Sequence, residues 1–187
     1  MTFQSTVSKN IGFGVVGEIF LDGPTRAQPG RLDSASAANN VIGRAFSVKD
    51  DATASFETAA DPQPLDVQAG QSGTFAGILA MPKNYPLYGT TGDSLASTLV
   101  LPNDTIVELI QETAGMIVTL GAACAIGDWL YYTTATGVLV TAAPGFANIP
   151  ADSTRVPGGR VVRYESAAAG LAVVSFNANV DPQEAVE

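Results

Sequence analysis

The amino-acid sequence predicts a mainly β protein: an antiparallel β-barrel or jelly-roll-like sandwich with an extended N-terminal arm. Three observations carry this. The 19 glycines and 11 prolines among 187 residues are scattered along the chain, which leaves little room for long helices and suits short strands joined by tight turns. Ala, Val, Gly and Thr dominate while Lys is scarce. The C-terminal third alternates apolar and polar residues between Gly-containing turns, the period of a half-buried strand.

The elements follow in order. Residues 1–40 read as an arm and linker, with one strand at 14–21; Asp22-Gly23-Pro24 and Pro29-Gly30 are turn signals, and 33–40 is a run of small residues. Removing residues 1–32 is expected to leave a folded body. That body is expected over 41–178, with a smaller lobe around 83–104. Strands are predicted at 41–48 and 52–57, before a proline-marked loop at 61–64. Residues 74–81 form an apolar strand ended by Pro82, and 83–93 a polar excursion. Strands at 95–101 and 105–112 are split by Pro102-Asn103-Asp104. The second also fits a helical stripe through Ile106, Leu109, Ile110 and Thr113, but its β-branched content favours strand.

Met116, Val118 and Leu120 share one face of a strand at 116–120. A strand at 128–134 reverses at Thr136-Gly137 into 138–141, a hairpin by its chemistry. Pro157-Gly158-Gly159 reads as a turn before 160–165. The last strand is 170–177, with Leu171 and Val173 opposing Val174 and Phe176. Residues 179–187 are expected to be an acidic, disordered tail.

The chain contains no histidine, which removes the usual general base near neutral pH and the commonest metal ligand. Its single cysteine, Cys124, lies in an apolar run and reads as a small buried residue. The net charge is −9, from 18 acidic and 9 basic residues, which argues against nucleic-acid and anionic-membrane partners. The first 32 residues differ: Lys9, Arg26 and Arg31 against Glu18 and Asp22 leave them at +1. No apolar run approaches the ~20 residues of a membrane span, and the N-terminus has no apolar signal core.

Two strings imitate catalytic motifs. Gly12-Phe-Gly14-Val-Val-Gly17 matches the dinucleotide fingerprint, but that loop must open a helix, and Gly23-Pro24 follows too soon. The expectation is glycines that let the segment lie flat against another backbone. Gly92-Asp93-Ser94-Leu95 resembles the block of the GDSL hydrolases, whose serine needs a histidine this chain lacks. Asn103-Asp104-Thr105 fits a glycosylation acceptor. Asp50, Asp51, Asp61 and Asp66 are read as a solvated acidic face rather than a cation site. Trp129, Tyr131 and Tyr132 are read as core and rim packing ahead of a sugar-stacking platform.

Read from end to end, the chain resembles the capsid decoration (cement) proteins of tailed bacteriophages. The resemblance is carried by Met1-Thr-Phe-Gln-Ser-Thr-Val7, by Gly14-Val-Val-Gly-Glu-Ile19 with Gly23-Pro24 and Arg26-Ala27, and by Ile42-Gly-Arg-Ala-Phe-Ser47. It continues through Phe75-Ala-Gly-Ile-Leu79 with Pro82-Lys83, Ile126-Gly-Asp128, Thr136-Gly137 and Gly170-Leu-Ala-Val-Val174. It implies a structural virion protein on the outer capsid surface, present in the host cytoplasm during assembly, that bridges neighbouring capsomers. The implied partners are the major capsid protein and further copies of itself, as a homotrimer or homodimer, with no nucleic acid and no membrane. Partner-binding residues are expected in the arm: Phe3, Phe13, Phe20, Arg26 and Arg31, the arginines meeting acidic groups on the shell. No catalytic, cofactor-binding or metal-binding residue is implied, and no cofactor. The alternatives are a tail or baseplate component, a carbohydrate-binding β module on Trp129, Tyr131 and Tyr132, and an enzyme using carboxylates alone.

Overall fold

A computed structural model describes residues 14–49, 65–81 and 100–179. Nine strands form one sheet: β1 (Thr25–Leu32), β2 (Ala45–Val48), β3 (Leu65–Ala69), β4 (Phe75–Leu79), β5 (Ile106–Leu120), β6 (Trp129–Thr133), β7 (Leu139–Ala142), β8 (Ser153–Arg163) and β9 (Gly170–Asn177). The only helical turns among the described residues are two short 3-10 segments, Ala37–Asn39 and Phe146–Asn148. The mainly β fold expected from the glycine and proline punctuation is what the chain adopts.

The pairings close two rings of five strands each. One runs β1-β3-β2-β4-β5 and returns to β1; the other runs β5-β7-β6-β8-β9 and returns to β5. β5 belongs to both. All pairs are antiparallel except β1–β3 and β5–β7, so the antiparallel arrangement is interrupted at one pair in each ring. The reason is parity: an odd number of strands cannot alternate direction around a closed ring.

The two rings curl to opposite faces of β5. Adjacent strand residues point to opposite sides, and Leu109 and Ile110 fall into different cores. Val107 and Leu109 pack in the first ring with Leu32, Phe46, Val67 and Leu79. Ile110, Met116, Val118 and Leu120 pack in the second with Leu130, Tyr132, Val161, Val174 and Phe176. Closure leaves few open edges, which limits edge-to-edge aggregation.

Several sequence expectations are corrected here. The strand expected at 14–21 is only an isolated bridge, Ile19 to Met116. The strand of this region is β1, which reads locally as turns because of Pro29-Gly30. It forms because seven residues from Thr25 to Arg31 pair along β5, tertiary pairing that overrides local propensity. Residues 65–69, not expected as a strand, form β3. The strands expected at 105–112 and 116–120 are a single β5, with no helix, carried through register shifts near Gln111 and between Thr113 and Met116. Pro157-Gly158-Gly159 does not turn the chain. It is a bulge inside β8, where Arg160 opposes Trp129 and Arg155 opposes Tyr131, so four residues stand against Leu130. The hairpin at Thr136-Gly137 and the last strand at 170–177 fall where expected. The expectations at 52–57, 61–64, 83–93 and 95–99, and the tail from residue 180, lie outside the described residues.

Candidate binding surface

The segment expected to be the binding arm runs beside β5 from residue 17 onward. The N–H of Gly17 donates to Ile117 O (2.8 Å), Ile117 N–H donates to Glu18 O (2.9 Å), and Phe20 N–H donates to Gly115 O (2.8 Å). β1 then continues along the same edge, from Thr25 opposite Thr113 to Arg31 opposite Ile106. Gly17 (φ +87°) also accepts from Met81 N–H, and a Cβ there would sit 2.5 Å from that nitrogen. Gly17 of the dinucleotide-like string therefore serves close backbone approach, and the next element among the described residues is a strand, β1.

The residues expected to meet a partner separate. Phe3 and Phe13 lie outside the described residues. Arg26 is exposed on β1. Arg31 is engaged within the chain: its Nε and Nη2 donate to the two carboxylate oxygens of Asp66 (2.7 and 2.8 Å), and Asp104 lies 3.7 Å away. The Asp66 hydrogen bond and charge hold the guanidinium's pKa above its ordinary value. Phe20 is 36% exposed, its ring edge-on to Tyr164 at 6.4 Å and 5.8 Å from the Arg163 guanidinium.

That contact leads to a surface the sequence reading missed. Arg155, Arg160 and Arg163 all lie on β8, and register puts all three on the outside of the second ring. Val156 and Val161 face the core. Arg155 and Arg160 stand opposite Tyr131 and Trp129, which flank the core-facing Leu130. Arg163 stands opposite Val173, next to the core-facing Val174. The Arg155 guanidinium lies 3.7 Å over the Trp129 ring, a cation–π stack. Beside Arg160 a shallow groove of about 230 Å³ is lined by Pro24, Glu112, Gly158 and Asn177. The signal was present as three arginines in nine residues, but reading Pro157-Gly158-Gly159 as a turn hid that they share one strand.

The other candidates resolve individually. Tyr131 and Tyr132 are 1% and 0% exposed, so no sugar platform forms from the three aromatics; Tyr132 packs against Phe75 at 6.0 Å. Burial pushes both phenols above their ordinary pKa, with Arg155 partly offsetting this at Tyr131. Cys124 is buried in the second core, as expected. Asn103 is engaged in the fold: it accepts from Asn40 Nδ2 (2.8 Å) and donates to Ser34 O (2.9 Å). Asp66 is committed to Arg31, while Asp50, Asp51, Asp61 and the Gly92–Leu95 string lie outside the described residues. Among the described residues no three of His, Cys, Asp and Glu gather as a metal site, and no helix is long and apolar enough to cross a membrane.

Residues 3–177 match the family model described as structural cement protein (E217 gp24/Pam3 gp6). Among solved structures, a chain of the capsid of Myoviridae phage XM1 is similar over 95% of this chain and 98% of that one, at 19% identity and a TM-score of 0.54. That likeness is one of fold. The N base of the head fiber gp8.5 of bacteriophage phi29 is matched over 83% of this chain and 96% of that one, at 13% identity and a TM-score of 0.44. No curated protein matches the chain in sequence.

Proposed function

The chain belongs to the structural cement protein family of bacteriophages, and from that premise we propose that it binds the outer surface of a phage capsid and bridges neighbouring capsomers. The observation that carries this reading is the family match over 175 residues, 3 through 177, which takes in both rings and the segment along β5. Its role is structural, not catalytic. The partners are the major capsid protein and further copies of the chain, as a homotrimer or homodimer, met after synthesis in the host cytoplasm.

The physical features are suited to the task. Two closed rings sharing one strand give a body with few open edges to pair wrongly before docking. Modest contacts made to two capsomers at once act together through high effective concentration. Phe20 and Arg26, with Phe3 and Phe13 before them, contribute to the docking segment. Arg31 instead holds β1 to β3 through Asp66.

Imaging of expanded capsids incubated with the purified full chain tests this. The expected result is added density on the outside of the shell, spanning capsomer boundaries. Density on the tail or baseplate, or none on the particle, would overturn it.

A further inference from the structure

Three of the arginines gather on one strand of this molecule, β8. Strands β6, β7, β8 and β9 carry Arg155, Arg160 and Arg163 and not one Asp or Glu, in a chain of net charge −9. Of the carboxylates near β8, Glu112 accepts from Asn177 Nδ2 (3.0 Å), Asp128 from Ala125 N–H (2.8 Å) and Glu165 from Ile126 N–H (3.5 Å), while Asp152 stands exposed just before the strand. Exposed carboxylates lie in loops beside both rings, Asp104 at the first and Asp152 and Glu165 at the second, with Glu108 on the shared β5.

We infer that the outer face of β8, with its flanking aromatics, docks onto an acidic, carboxylate-bearing surface of another protein; on the proposed function, that protein is the capsid subunit. Arg160 and Arg163 are exposed, and Phe20, Tyr164 and Leu171 nearby are 36%, 41% and 36% exposed. Arginine forks recognise carboxylates in two-point fashion. Aromatic side chains beside arginine are the composition in which interface energy concentrates. Three cations are too few to anchor a chain of this net charge on a phosphate backbone, which is held by many. The inference also sets the orientation: the outer face of β8 turns toward the shell.

Binding of the full-length chain to expanded capsids lacking it, measured by co-sedimentation across a salt series, tests this. The charge-reversed pair R160E/R163E is expected to weaken binding by at least about tenfold. The neutral pair R160Q/R163Q should weaken it less, and salt should weaken the wild-type chain as it screens the exposed charges. Thermal melts check that each variant is folded, and the neutral pair carries the test alone if the reversed pair is not. If both folded variants bind like the wild type, the face is misassigned while the proposed function stands. If the wild-type chain itself does not bind capsids, the proposed function falls and this inference with it. Binding of the wild-type chain to duplex DNA that R160E/R163E abolishes would overturn the choice of a protein partner.

Discussion

Gly70 and Gly137 meet across the backbone of Ala45, and this contact locks the hairpin of one ring onto the other ring. Ala45 N–H donates to Gly137 O (2.9 Å), and Gly70 N–H donates to Ala45 O (3.1 Å). Both glycines have positive φ, +74° and +71°. A Cβ at Gly70 would lie 2.5 Å from Thr134 O, and one at Gly137 would collide with Ala45 O. Arg44 reinforces the junction, donating to Thr136 O (3.2 Å).

Gly137→Ala is therefore expected to destabilise the fold on two counts. The left-handed conformation costs about 1–2 kcal/mol for an L residue, and displacing the backbone of Ala45 adds to that. Gly127→Ala is the control, since Gly127 has φ +92° and nothing within 4 Å of the added Cβ. Urea unfolding should show the larger loss for Gly137→Ala; equal losses would mean the ring junction is not tightly packed.

The Arg31–Asp66 pair is largely solvent-facing on the arginine side, 44% against 16% exposed, so its value is small. Arg31→Ala should lower stability by about 0.2–1 kcal/mol, the range of exposed ion pairs. Asp66 raises the pKa of Arg31, so on the arginine side this contribution is intact through neutral and mildly alkaline pH and is lost only in strong alkali. Denaturant midpoints for Arg31→Ala should thus shift by the same amount at pH 6 and pH 9; a loss confined to one of them would point to a different interaction.

Tyr131 and Tyr132 set an alkaline limit. Burial raises both phenol pKa values from the ordinary 10.0, so the folded chain keeps them neutral while the unfolded chain ionises. Their contribution is intact below pH 10 and is lost as pH rises through the folded values. Phenolate absorbance followed alongside circular dichroism should show these two ionising only with unfolding. Ionisation of all five tyrosines before any loss of ellipticity would contradict their burial.

Truncation separates the docking segment from the fold. Removing residues 1–13 should leave the thermal melt near that of the full chain. Contrary to the expectation from sequence that a folded body remains, removing residues 1–32 takes away β1, which pairs with both β3 and β5, and the fully buried Leu32, opens the first ring and should abolish its cooperative melt. A 1–32 deletion that melts like the full chain would show that β1 is dispensable.

Much of this molecule is legible from local chemistry. The strand at 170–177 and the Thr136-Gly137 hairpin announce themselves because alternation and turn residues act over a few positions. The missing histidine and the buried Cys124 bound the chemistry in the same way. β1 and β3 are not legible, because what makes them strands is a partner distant in sequence: Arg31 opposes Ile106 on β5 and Asp66 on β3. The arginine row is not legible either, because a Pro-Gly-Gly bulge looks locally like a turn.

By itself the sequence determined that this chain is mainly β, carries no histidine chemistry and resembles proteins that reinforce phage shells. Only the tertiary structure decided that the strands close into two five-membered rings sharing β5, that Arg31 serves its own fold, and that Arg155, Arg160 and Arg163 share one outer face. The physical reason is that composition and turn chemistry act over a few residues, whereas register across a ring is set by which long-range pairings satisfy every backbone group at once.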